Sequence, residues 1–174
     1  SIWHAAEEGN YDALKAHLDG CSSPRELKAM VNGRDPSTDA SLLHLYATSA
    51  PETRLAMVRL LLESGADASS TNVYNVQPIH MVSLHFPLHA VSFLKALLEF
   101  GANIHARDGD GWTPLHYAAR FCQPPKEAMQ LLVEHGADVN AVDDSNHKSC
   151  LYGLIANGDH LACFQWMVEH GQAN

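Results

Sequence analysis

Histidines at positions 44, 80 and 116 stand 36 residues apart, each inside a similar heptapeptide: "SLLHLYA", "QPIHMVS" and "TPLHYAA". Glycines at 65, 101, 136 and 171 follow at separations of 36, 35 and 35, inside "LLESGAD", "LLEFGAN", "LVEHGAD" and "MVEHGQAN". Two independent markers on one period describe a tandem array. Each segment is one supersecondary unit that buries its apolar side against its neighbours.

Within the period the residue choices predict two antiparallel helices and a projecting turn. Thr113 is placed to cap the first helix with its hydroxyl, and Pro114 takes the first helical position, where no N–H is missed. Leu115, Ala118 and Ala119 then form a narrow apolar face on which a neighbouring helix can approach closely. A second helix follows with Ala128, Met129, Leu132 and Val133 at helical spacing, ended by His135 and Gly136. The joining segments "RDGDG" and "VDDSN" are rich in Asp, Asn and Gly, which is turn chemistry.

The stretch "DGDGWTPLHYAA…LLVEHGADVNA" resembles the ankyrin repeat, whose signature includes T-P-L-H-x-A. The resemblance covers essentially the whole chain and implies an all-α solenoid of stacked antiparallel helix pairs with projecting β-turn or hairpin loops. Five units are expected at about 1–32, 33–69, 70–105, 106–141 and 142–174; the first looks like a capping repeat. The last is degenerate, with Leu151 at the histidine position. The middle units are longer than the usual repeat, the excess falling in the proline-bearing stretches "TSAPETRLA", "SLHFPLHA" and "RFCQPPKEA". These are either a widened ledge on one face or neutral loop drift. In the first unit "SPRELKAM" has the Ser, Pro and Glu order of a short extra helix. The chain starts without Met and stops inside a signature that leads to another unit, so a segment of a longer protein is expected.

A formal net charge of -9, with only 11 Lys and Arg, argues against nucleic-acid binding. Cys21, Cys122, Cys150 and Cys163 lie far apart without a CxxC pair and read as buried free thiols. No apolar run reaches the ~20 residues of a membrane span. The expectation is an intracellular, soluble protein, cytoplasmic rather than nuclear, monomeric, without direct membrane insertion.

Twelve histidines invite a metal site, and His85 and His89 have the four-residue spacing of paired ligands, but Pro87 interrupts any helix between them. No Cys or carboxylate completes a tetrahedral set, so no metal and no cofactor is expected. The resemblance gives His44, His80 and His116 a structural role, hydrogen bonding between neighbouring turns and helices. Cys122 near His116 is the one tempting nucleophile and base, yet no oxyanion motif or phosphate loop accompanies it, so no catalytic residue and no enzyme activity are expected. "DGDG" lacks the later glutamate of a calcium loop.

What remains is a surface. Stacked units align their turns and the outer side of their first helices into one concave face. Tyr74, Met81, Asp110, Trp112, Tyr117, Arg120, Phe121 and Asp144 are expected there as a partner-binding patch. The function expected is a non-catalytic protein-interaction module, with a basic segment bearing an apolar anchor as partner. The alternative is the targeting or regulatory part of a larger enzyme or membrane-associated protein. Trp112 has two readings, an exposed partner anchor or a cover over a repeat junction. Asn140, eight residues after Leu132 and two after Asp138, resembles a site of asparaginyl hydroxylation on ankyrin-like repeats, or else simply bonds its turn.

Overall fold

The computed structural model describes residues 1–45, 50–171 and 173. The described helices are α1 (Ile2–Glu7), α2 (Tyr11–Asp19), α3 (Pro24–Val31), α4 (Pro51–Glu63), α5 (Pro78–His85), α6 (Ala90–Glu99), α7 (Pro114–Phe121), α8 (Lys126–Glu134), α9 (Cys150–Asn157) and α10 (Leu161–Glu169). A 3-10 turn at Leu42–His44 stands before α4. Among the described residues the only bridges are isolated ones, Arg34 with Ser41 and Val142 with Ser149, so the chain is an all-α solenoid.

Two rows of helices run through the stack. The first helices make one row, α5 on α7 and α7 on α9, and the second helices make the other, α2 on α4, α4 on α6 and α6 on α8. Short connections, such as residues 122–125 between α7 and α8, return α2 against α1, α6 against α5 and α8 against α7. Leu115, Ala118, Ala119, Ala128, Met129 and Leu132 are buried at the expected positions, while Val133 is half-buried. Gly65, Gly101 and Gly136 each end a second helix at φ of 92°, 82° and 93°, a conformation that a side chain opposes. Gly171 differs, because a Cβ there would come within 2.6 Å of the Met167 carbonyl oxygen.

The extra helix predicted near residue 23 is α3. Ser23 caps it by accepting from Glu26 N–H at 3.2 Å, Pro24 opens it, and Asn32 ties its end to the next unit through the Gly65 carbonyl and the Asp67 N–H. Two proline-bearing loops lie between helices as expected, but Pro51 opens α4 itself. Thr48 and Ser49 of that loop, with Gln172 and Asn174 of the last signature, lie outside the described residues. Cys122, Cys150 and Cys163 are buried free thiols, whereas Cys21 is only half-buried, its Sγ 3.8 Å from Met30 Sδ.

Candidate functional site

The histidine period builds the frame of the concave face. The backbone N–H of Thr113 donates to His116 Nδ1 at 3.2 Å, and the Thr113 hydroxyl lies 2.8 Å from the same nitrogen. An amide N–H can only donate, so Nδ1 is bare and Nε2 carries the proton, which it gives to the Lys148 carbonyl at 3.0 Å. His80 accepts from Gln77 N–H and donates to Ala106, and His44 accepts from Ser41 N–H and donates to Val76. Each imidazole thus joins its own helix start to the following turn. Burial pushes all three pKa values down, which keeps the rings neutral at pH 7.

The turns carry a second, backbone connection that the sequence reading missed. Val73 N–H donates to the Thr38 carbonyl, Gly109 N–H to Tyr74 and Asp144 N–H to Asp110, all at 2.9–3.0 Å. Asp39, Asn75, Gly111 and His147, one per turn at intervals of 36, adopt positive φ of 51°, 57°, 80° and 53°. Only one of them is glycine, and the other three are of the non-glycine types most often found in this conformation. Tyr74, Asp110 and Asp144, expected as part of a partner-binding patch, therefore also hold the turns together. Arg107 likewise reaches the Val142 carbonyl and the Asp144 carboxylate, both at 2.8 Å.

The carboxylates of this region are largely engaged. Asp108 Oδ1 accepts from the Asp110 and Trp112 N–H groups, and its Oδ2 accepts from the Tyr117 hydroxyl at 2.8 Å. Burial, then that hydrogen bond, raises the Tyr117 pKa. "DGDG" is thus the turn it reads as. Asp143 Oδ1 accepts from Asn146 and Lys148 N–H groups, and the bond from Asn146 leads in holding its carboxyl below the usual range.

Trp112 is half-buried rather than fully exposed. Its indole lies 5.8 Å from the Tyr117 ring, edge-on, 5.8 Å from His116 and 6.5 Å from Phe121. It therefore packs within its own helix start and also lines a groove of about 370 Å³ between α7 and α9, beside Arg120, Lys148, Tyr152, Gly153 and Ile155. Tyr117 turns the other way, 5.1 Å from His80. Tyr74 stands apart at a turn tip, 70% exposed, and Met81 and Phe121 are half-buried. The structure brings Trp112, Tyr117, Arg120 and Phe121 together on α7, with Asp110 and Asp144 exposed at adjoining turn tips. Lys148, Tyr152 and Ile155 complete the groove. Tyr152 was legible as an outward position of the last unit, while Lys148 carries no family signal.

The chemical alternatives find no geometry. Cys122 is fully buried and its thiol is pushed by burial up to about 11, which removes the nucleophile. His85 ends α5 and His89 caps α6, so they do not share a helix face. Among the described residues no group of three His, Cys, Asp or Glu is placed to hold a metal. Asn140 is exposed, and its N–H donates to Asp138 Oδ1 at 2.9 Å.

Comparison with known proteins agrees with this architecture. The family model "Ankyrin repeats (3 copies)" matches residues 43–143 and 81–174. The B-cell lymphoma 3 protein homolog of Mus musculus is 34% identical over 135 residues, 74% of this chain and 28% of that protein. Ankyrin repeat protein nuc-2 of Neurospora crassa is 28% identical over 170 residues, 98% of this chain and 14% of that protein. E3 ubiquitin-protein ligase KEG of Arabidopsis thaliana is 32% identical over 124 residues, 68% of this chain and 7% of that protein. The chain thus spans less than a third of the length of these relatives. With the period, the interlocking histidines and the glycine-ended helices on one scaffold, the chain belongs to the ankyrin-repeat family.

Proposed function

We propose that the concave face of residues 70–174 binds a segment or domain of a partner protein, and that the chain performs no catalysis of its own. Ankyrin repeats are generally protein-interaction modules. The observation that carries the reading here is the indole of Trp112. It is held beside Tyr117 and Phe121 on one side and opens into the α7–α9 groove on the other. A rigid, half-desolvated aromatic of this kind has the character of an interface anchor. Tyr74, Met81, Asp110, Arg120 and Asp144 extend the surface to either side, and the exposed Asp110 carboxylate favours a basic residue of the partner at the turn tips, Asp144 being paired with Arg107. The scaffold divides near residues 32, 69, 105 and 141. Asn140, exposed in its turn, is a candidate for hydroxylation, tested by mass spectrometry for a one-oxygen adduct.

A second reading, the targeting part of a larger protein, draws on the relatives, which include a ubiquitin ligase of which this chain matches 7%. Both readings use the same surface. Pull-down with the wild-type protein and with Trp112→Ala, beside a Leu88→Ser control on the exposed α5–α6 loop, tests it. Trp112→Ala is expected to weaken the captured interaction by about 2 kcal/mol or more. Because the indole packs on its own helix, the free protein also loses about 1 kcal/mol of stability. Lowered stability with unchanged affinity sinks the proposal.

A further inference from the structure

We infer that the groove between α7 and α9 recognises an apolar side chain followed closely by a carboxylate, as in an acidic-apolar peptide segment; this rests on the reading of the concave face as the partner surface. Trp112, Tyr152 and Ile155 supply apolar walls, and the latter two are 59% and 66% exposed. Gly153 brings α9 close to α7. A Cβ built at Gly153 would lie only 3.4 Å from Arg120 Cβ, and its absence keeps that wall low. At about 370 Å³ the space suits a few side chains rather than a folded domain.

The groove is net positive, Arg120 and Lys148 against the one carboxylate of Asp143, in a chain that is acidic as a whole. Arg120 lies 5.7 Å from the Phe121 ring centroid and donates one long bond of 3.5 Å to the Ala156 carbonyl. Lys148 Nζ lies 5.4 Å from the Tyr152 ring centroid. Among the described residues neither cation forms an ion pair with a carboxylate. Asp143 borders the groove but is 4% exposed, with Oδ1 committed to the Asn146 and Lys148 N–H groups. His116, also at the wall, is neutral, since its bare Nδ1 accepts from Thr113. Two cations thus stand on aromatic faces with donors to spare, in a chain of formal net charge -9. An apolar side chain seated on Tyr152 and Ile155 excludes water from them, which strengthens a charge-assisted bond to a following carboxylate. A basic group in the same place meets like charge.

The test uses two fluorescein-labelled synthetic peptides of equal length, in which Leu-Trp is followed by Asp-Glu or by Lys-Lys, titrated against the 174-residue protein by fluorescence anisotropy. The acidic peptide is expected to bind at least 10-fold more tightly, with a preference that declines as salt rises. Arg120→Glu combined with Lys148→Glu inverts the preference. If that pair fails to fold by circular dichroism, Arg120→Gln with Lys148→Gln abolishes it instead. Trp112→Ala weakens both peptides. Equal affinity for the two, preference for Lys-Lys, a charge order that the substitutions leave unmoved, or no binding of either at millimolar peptide overturns the inference. Loss of both peptides and of the captured partner in Trp112→Ala, without any charge order, defeats the carboxylate and spares the surface. No effect of Trp112→Ala on either peptide or on the captured partner defeats both.

Discussion

The interior of the stack and its two ends are built differently. His44, His80 and His116 each pin a helix start to the following turn with a buried, neutral imidazole. At the ends the equivalent place is held by a different aromatic residue. Burial of Ile2, Ala5 and Ala6 in the pattern of Leu115, Ala118 and Ala119 puts Trp3 at the N-terminal counterpart. In α9 the place falls to Tyr152 rather than to Leu151, the residue expected there: Tyr152 N–H donates to the Ser149 carbonyl as His44 and His80 N–H donate to Ser41 and Gln77, and Leu151 is the counterpart of Leu115. The interior therefore adds specific polar bonds to its apolar core at this place, whereas the ends put the rings of Trp3 and Tyr152 there. The open groove lies where the histidine pattern stops, between α7 and α9.

Acidification is the broadest way to break this contrast, because it strikes every interior pin together. The folded-state pKa values of the three histidines lie below the ordinary value of about 6.5, so the unfolded chain binds protons first. Stability is full above pH ~6.5 and falls as pH drops below it. Each of the three histidines adds to the slope in the same direction, because each binds its proton more readily in the unfolded chain. The half-buried His85 shifts the same way and adds to it. Asp35, held at about 2 chiefly by the Ser37 and Thr38 hydroxyls, loses its contribution only between about pH 4 and 2, a separate window. Urea midpoints at a series of pH values measure both; a flat profile from pH 7 to 5 contradicts the bare-Nδ1 geometry.

His80→Leu sharpens the contrast at one site by replacing the ring that makes both bonds with an apolar side chain. The half-buried Gln77 N–H and the buried Ala106 carbonyl lose their partner, for an expected cost of about 2–4 kcal/mol in chemical denaturation. A change under about 0.5 kcal/mol erases the distinction between interior and ends. Gly136→Val is expected to cost about 1–3 kcal/mol, all of it backbone strain, since no atom lies within 4 Å of the added Cβ. An unchanged melting temperature refutes the positive-φ helix end. The smallest effect has the opposite sign. His147→Gly relieves a side chain at φ 53° and is expected to raise stability by at most about 1 kcal/mol, read from the same unfolding curves.

Much of the scaffold was legible because its constraints repeat as residue types. Proline opens α7, alanines line its packed face, and glycine ends α8, each for a reason local to a few residues. The turns were less legible. Their shared positive φ is met by four different residues, Asp39, Asn75, Gly111 and His147, each of a type that tolerates it, so no single letter repeats, and their cross-links run through the backbone. The site followed the same division. Trp112, Tyr117 and Arg120 are anomalies visible against the repeat, but the engagement of Asp108 and Asp143 is not written at any one position. Asp108 and Asp143 are tied to turn N–H groups, and among the described residues neither Arg120 nor Lys148 forms an ion pair.

The backbone bonds from Val73 to Thr38, Gly109 to Tyr74 and Asp144 to Asp110 make the row of turns a single strap lying across the helices. A tip in such a strap cannot swing alone. The freedom that separate loops surrender on meeting a ligand is here given up during folding, so a partner landing on Asp110 or Tyr74 encounters a surface already set in register. Contact made at one tip is also shared mechanically with those beside it.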